Sequence, residues 1–164
     1  MARIIKQKAI ICDIDGVLLD TAHIFDRIEK AGLQGRDKWD FFNRHANDFD
    51  VEIDSRVVET LETLSQDYKI IFLTSRSGEI YKQTRAKIAT AIGLYAQTVF
   101  DYILIMRKHG DLRSSVEVKA EWLKEIQQEF DIIFAIDDES ENCEMFARNN
   151  ILTLKVQKRE DKQA

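Results

Sequence analysis

Two aspartates two residues apart, Asp13 and Asp15, with Gly16 directly after them, form the one spacing in this chain that asks most plainly for chemistry. On an extended backbone, residues i and i+2 point the same way, so the two carboxylates concentrate negative charge where an apolar run ends. Such a site needs a cation or a shared proton, and the glycine permits a tight turn beside it. Taken alone, Asp-x-Asp-Gly is also the pattern of a solvated acidic loop. Three further groups stand at comparable places. Thr74-Ser75-Arg76 supplies two hydroxyls and a guanidinium, groups able to bind phosphate oxygens, although a capping hydroxyl in a strand-to-helix turn reads the same way. Lys119 lies near the start of a segment with helical spacing, where a solvated lysine is the ordinary reading. Asp137-Asp138 close another apolar run, where an acidic pair commonly caps a helix. Position joins these groups. Each acidic or hydroxyl cluster follows a run that reads as a buried strand, on the side where open α/β sheets bind ligands.

The elements that must position them are legible as five short runs rich in β-branched and apolar residues: Ala9 to Ile14, Ile70 to Leu73, Tyr102 to Met106, Ile132 to Ile136 and Ile151 to Val156. The runs are continuous rather than alternating, as expected of parallel strands buried on both faces. Helical stripes fall between and around them, at Val57, Val58, Leu61 and Leu64, at Ile80, Thr84, Ile88 and Ile92, at Trp122, Leu123, Ile126 and Phe130, and at Cys143, Phe146 and Ala147. The alternation predicts a doubly wound, Rossmann-like α/β fold: a five-stranded parallel sheet with helices on both faces. The interval 20–54 breaks it and reads as a small helical or irregular insert after the first strand, a natural place for a substrate-covering element.

A length of 164 residues points to one domain, residues 1–164. A hydrophobic fraction of 45% and a charged fraction of 32% exclude disordered and fibrous classes. No apolar run approaches the roughly 20 residues of a membrane helix. Residues 1–8 carry charge without a signal-type core, so a cytoplasmic protein with no membrane partner is expected. Cys12 and Cys143 have no metal-ligand spacing and read as small apolar groups in a reducing compartment. The net charge of −5 opposes broad adhesion to nucleic acid, while leaving room for a local basic site. Arg107, Lys108 and Arg113 follow the third strand and are candidates for one. The charged tail from Lys155 to Ala164 is expected to fray. Trp39, Phe41, Phe42 and Phe49 are expected mainly to pack the insert onto the sheet, with base stacking as the other use. His23, His45 and His109 share no ligand spacing; only His109 is placed to face a substrate.

The whole order resembles the haloacid dehalogenase (HAD) superfamily of phosphotransferases. Its four motifs match as Asp13-x-Asp15, Thr74, Lys119 and Asp137-Asp138. Within it the chain resembles the 3′-phosphatase domain of bacteriophage-type polynucleotide kinase/phosphatases. Arg107-Lys108-His109-Gly110-Asp111-Leu112-Arg113, Val118-Lys119-Ala120-Glu121 and Phe134-Ala135-Ile136-Asp137-Asp138 look like that domain's C-terminal half, and Trp39-Asp40-x-Phe42 looks like its relatives' insert. There is no Gly-x-x-x-x-Gly-Lys-[Ser/Thr] loop, so no kinase domain is expected in this chain. Ser115 stands where relatives tend to carry an acidic residue, and Ala22, His23 and Ile24 occupy the region where they carry a phosphate-binding arginine.

The resemblance implies a phosphomonoester hydrolase with an aspartyl-phosphate intermediate, most readily one removing the 3′-phosphate of a polynucleotide end. Asp13 is then the nucleophile and Asp15 the general acid and base. Thr74 and Lys119 hold phosphate oxygens, and Ser75, Arg76, Arg107 and Arg113 contact substrate. Mg2+ is held by Asp13, the Asp15 backbone carbonyl and Asp138, with Asp137 orienting ligands or waters around it. A phosphatase of small phosphomonoesters such as mononucleotides shares every catalytic residue. A phospho-acceptor signalling domain of receiver type is disfavoured, because it places its aspartate after the third strand and needs no second carboxylate.

Overall fold

A computed structural model describes residues 5–157 of the chain; the end of the expected frayed tail lies outside them. The chain runs β1 (Gln7–Cys12), β2 (Leu19–Asp20), α1 (Ala22–Lys30), α2 (Gly35–His45), β3 (Glu52–Ile53), α3 (Ser55–Leu64) and β4 (Lys69–Ser77). A 3-10 turn (Gly78–Ile80) then leads into α4 (Tyr81–Tyr95), β5 (Tyr102–Arg107), α5 (Ser115–Glu129), β6 (Phe130–Asp137), α6 (Ser140–Arg148) and β7 (Leu152–Lys155). All five expected strands are present and form one parallel sheet in the order β5-β4-β1-β6-β7. β1 is therefore central, between β4 and β6.

Burial on both faces explains the unbroken apolar runs. Ile10, Cys12, Ile70 and Phe72 point into one core, completed by Ile24 and Ile28 of α1, Val58 and Leu61 of α3, and Ile88 and Ile92 of α4. The alternate residues Ala9, Ile11, Ile71 and Leu73 point into a second core with Leu123 and Ile126 of α5 and Met145 and Phe146 of α6. Each fully buried aliphatic contributes roughly 1.5–3 kcal/mol. α5 is started by a full capping box, in which Ser114 accepts from the Glu117 amide and Glu117 reaches back to Ser114.

Three sequence-level expectations shift. β4 does not end at Leu73 but continues through Ser77, so Thr74-Ser75-Arg76 lies inside the strand, and the capping hydroxyl is Ser77, which accepts from the Glu79 amide. Phe130 opens β6 rather than completing the apolar stripe of α5, because the helix ends at Glu129. The insert is helical as expected, but it is clamped at its base by an antiparallel pair of two-residue strands, Leu19 opposite Ile53 and Asp20 opposite Glu52. Runs that short carry no alternation to read. Within the insert, Phe42 is buried, stacks on Phe25 and meets half-exposed Trp39 edge-on, whereas Phe49 is fully exposed and lies outside the expected packing role. Among the described residues no helix is long and apolar enough to cross a membrane.

Candidate active site

The site is built where β1, β4 and β6 end together. The Asp13 amide donates to the Ile136 carbonyl (2.9 Å), tying the end of β1 to β6, and the Ile14 amide donates to Asp13 Oδ1 (2.7 Å). The chain then turns back tightly, with the Gly16 amide on the Leu19 carbonyl and the Leu19 amide on the Ile14 carbonyl, both at 2.9 Å. Gly16 sits at φ +76°, and a Cβ there would lie 1.9 Å from Asp138 Oδ2. Only glycine therefore lets the loop after β1 and the loop after β6 bring their carboxylates together.

Lys119 is the hub. α5 carries it to 1% exposure, with Nζ 2.9 Å from Asp13 Oδ2 and 2.7 Å from Asp137 Oδ2. Burial alone would pull its ammonium down, but Asp13 and then Asp137 outweigh that and hold it above lysine's usual range. Asp137 is further fixed through Oδ1 by the Glu139 amide and by Asn142 Nδ2, both at 3.1 Å. Asp138 is turned toward Gly16. Burial raises the Asp13 carboxyl well above the carboxylate range against the pull of Lys119. Burial, followed by repulsion from Asp137, lifts Asp138 to about 6.

Asp13, Asp137 and Asp138 offer oxygens that all lie within 4.8 Å of one another. Three carboxylates face one ammonium, so the cluster carries uncompensated negative charge in a poorly solvated place. An all-oxygen donor set of that charge suits a hard divalent cation such as Mg2+ and offers no soft ligand for zinc. In the metal-free protein, Asp13 and Asp138 bind protons more tightly when folded than when unfolded. Their contribution to stability is therefore present at low pH and lost as pH rises above about 4 and through the folded values. Metal-free protein should melt higher at pH 5 than at pH 7, and saturating Mg2+ should remove the trend by binding the folded, ionised cluster. Thermal melts with chelator and with Mg2+ across that range check this; a metal-free melting temperature that climbs toward pH 7 contradicts it.

Arg76 is placed differently from its expected substrate contact. Only 2% exposed, it clamps Asp15 from two sides, Nε to Oδ2 at 2.9 Å and Nη2 to Oδ1 at 2.7 Å. Its remaining donors go to Asn47 Oδ1 (2.7 Å), Thr84 Oγ1 (3.3 Å) and the Ala46 carbonyl (3.0 Å). A guanidinium so fully engaged orients Asp15 and has no fork left for phosphate. Thr74 is buried, and its Oγ1 accepts from the Arg76 amide at 3.2 Å, which leaves the hydroxyl proton to donate elsewhere. Ser75 follows it and lends its carbonyl to Arg107 Nε at 2.7 Å.

Arg107 and Arg113 also depart from expectation. Arg107 straps the loop after β5 through the carbonyls of Ser75, Asp111 and Arg113. Arg113 pairs with Asp111 (2.6 Å) and Glu121 (2.5 Å), Lys108 pairs with Glu121 (3.3 Å), and His109 pairs with Glu79 (2.6 Å). Strand-end position predicted a cationic edge open to substrate, but Asp111 and Glu121 pair with Arg113 and Lys108, and Arg107 spends its donors on backbone carbonyls. Sequence reading missed Asn47 and Asn142, which hold Arg76 and Asp137 from 29 and 5 residues away. No motif marks either asparagine.

The family model for the polynucleotide kinase PNKP phosphatase domain matches residues 7–160. No curated protein matches the chain. Among solved structures, the chain is similar to one titled as the Pnkp1/Rnl/Hen1 RNA repair complex, with 27% identity and a TM-score of 0.69, covering 92% of this chain and 42% of that one. It is also similar to the class C acid phosphatase of Bacillus anthracis, with 18% identity, a TM-score of 0.58 and coverage of 84% and 53%. A HAD family enzyme of Bacteroides thetaiotaomicron solved as a magnesium complex aligns over 96% of this chain and 97% of its own, with 16% identity and a TM-score of 0.55. The chain thus spans about half the length of the first two.

Proposed function

The chain belongs to the polynucleotide kinase PNKP phosphatase domain family, and from that premise we propose that it removes the 3′-phosphate from a polynucleotide end by way of an aspartyl-phosphate intermediate. The coarser assignment, a phosphatase of HAD type, follows from the family. The observation that carries the chemistry is the pairing of Asp13, held at 2.9 Å by buried Lys119, with Asp15, held by Arg76 two residues on.

In this reading Asp13 attacks phosphorus and the leaving oxygen takes a proton from Asp15, giving the acylphosphate and a free 3′-hydroxyl. Asp15 then accepts a proton from the water that attacks phosphorus, which returns Asp13 as carboxylate and releases inorganic phosphate. Arg76 keeps Asp15 aimed at both oxygens in turn. The Thr74 hydroxyl and the Lys119 ammonium hold nonbridging phosphoryl oxygens, with Ser75 beside them. Mg2+, held by Asp13, the Asp15 carbonyl and Asp138 and oriented through Asp137, would supply the charge that lets an anionic nucleophile approach an anionic phosphate.

The substrate class rests on the family and on the relative described as part of an RNA repair complex. The engagement of Arg107 with backbone carbonyls and of Arg113 with Asp111 and Glu121 favours a second reading, a phosphatase of small phosphomonoesters. With Mg2+, we expect kcat/KM for a 3′-phosphorylated oligonucleotide to exceed that for the 5′-phosphorylated oligonucleotide, for 3′-mononucleotides and for sugar phosphates by about tenfold or more, roughly 1.4 kcal/mol of added transition-state binding. Equal or better turnover of mononucleotides selects the second reading instead.

A further inference from the structure

Asn142 is fully buried on the first turn of α6, five residues after Asp137. Its Nδ2 meets three acceptors drawn from three parts of the chain. Asp137 Oδ1 at the end of β6 lies 3.1 Å away, Glu139 Oε2 in the following loop 2.9 Å away, and Ser115 Oγ at the start of α5 3.3 Å away. These neighbours fix the amide, because turning it over would set its oxygen against two carboxylates. Its Oδ1 is then left buried with no hydrogen-bond partner among the described residues. Such an acceptor is a cost to the fold, and a residue that only filled the space between α5 and α6 would not carry it.

The effect of the amide falls on Asp137. That carboxylate takes Lys119 Nζ on Oδ2 at 2.7 Å and the Glu139 amide on Oδ1 at 3.1 Å, so Asn142 is its third donor and the second on Oδ1. A carboxylate's terminal torsion is otherwise broad, and two donors on one oxygen hold it in place. Asp137 thereby stays turned toward Lys119, within the cluster whose Asp13, Asp137 and Asp138 oxygens lie within 4.8 Å of one another. The same nitrogen binds Glu139, so a fourth carboxylate beside the cluster is held on a donor.

We propose that Asn142 is a positioning residue of the magnesium site, acting through Asp137 to set the affinity for Mg2+. The inference rests on the magnesium site described above and is independent of which phosphomonoester is hydrolysed. Groups bonded to a metal-site carboxylate rather than to the ion typically govern metal affinity by about 10- to 100-fold.

The test is Asn142→Leu, which is branched like asparagine but cannot donate. Protein stripped with a chelator and dialysed is titrated calorimetrically with Mg2+, and the rise of melting temperature with Mg2+ is followed separately. The Mg2+ Kd should rise about tenfold or more, and the Mg2+ concentration that half-restores turnover should rise with it. The metal-free melting temperature should move little, because losing the donor is offset by losing the unpaired acceptor. Ser115→Ala removes the tie to α5 but leaves Asp137 and Glu139 on the amide, so its Kd should stay within about twofold of wild type. A wild-type Kd retained in Asn142→Leu, or a Kd raised equally by Ser115→Ala, overturns the proposal and leaves Asn142 as a link between α5 and α6. Should the leucine variant fail to fold, Asn142→Ala decides by the same comparison. A wild type that binds no Mg2+ overturns the magnesium site itself and the proposal with it.

Discussion

Asp13→Asn is expected to lower phosphatase activity by about 10⁴-fold or more, near 5.5 kcal/mol, while the fold survives. The amide removes the carboxylate that the proposed reaction uses as its nucleophile. Its oxygen can still accept from the Ile14 amide, which Asp13 Oδ1 now does at 2.7 Å. Stability responds to two opposing changes. Burial makes the Asp13 anion costly, so a neutral side chain relieves the metal-free protein. The new amide group, however, faces Lys119 Nζ where Oδ2 now stands 2.9 Å away, donor against donor. The melting temperature should therefore stay within a few degrees of wild type, about 1 kcal/mol. Activity above about a tenth of wild type removes Asp13 from the nucleophile's role. Asp15→Asn separates the second carboxylate from the first: it should be nearly as damaging with poor leaving groups and much milder with an aryl phosphate, whose leaving oxygen needs no proton.

Most of what places these two aspartates is legible in the amino-acid sequence. Ile10, Ile11, Ile70 and Ile71 read as strands because burial on both faces leaves no polar position to break the run. The same logic brings Asp13-x-Asp15, Thr74 and Asp137-Asp138 to the last residues of those runs or just beyond, although β4 continues to Ser77 and Lys119 stands on α5 instead. What the sequence hides depends on contacts between distant segments. Arg76 next to two hydroxyls reads as a phosphate ligand, and only its pairing with Asp15, 61 residues away, turns it into a clamp. Lys119 by its own pattern reads as a solvated helix lysine and enters the site only through the family resemblance; its burial is visible only once Asp13 and Asp137 are seen on either side of it. Arg107 and Arg113 mislead for the opposite reason. Their partners are close by, in Asp111 and Glu121, but sequence position alone suggests an open catalytic edge rather than a self-paired loop.

Lys119→Met should be the most damaging single change for stability and activity together. Methionine preserves much of the aliphatic stem and fills a similar space, so the loss isolates the ammonium. Without it, two buried carboxylates at 2.9 and 2.7 Å lose their common cation. Breaking a buried pair from one side costs about 3–5 kcal/mol, because the partner charge stays behind unpaired. That predicts a fall in melting temperature of roughly 6–20 °C for a chain of this size. Phosphatase activity should drop by about 10³-fold or more, since the same ammonium would balance a phosphoryl oxygen. A purely structural lysine makes a different prediction, and Asp13→Asn/Lys119→Met distinguishes the two. Removing Asp13's charge relieves one of the two stranded carboxylates, so the double variant should melt higher than Lys119→Met alone, a coupling that independent sites would not show. Mg2+ should also return part of the lost stability to Lys119→Met by neutralising the cluster, without returning its activity. If Mg2+ restores turnover as well as the melting temperature, Lys119 serves only to balance charge in the fold and does not hold the substrate.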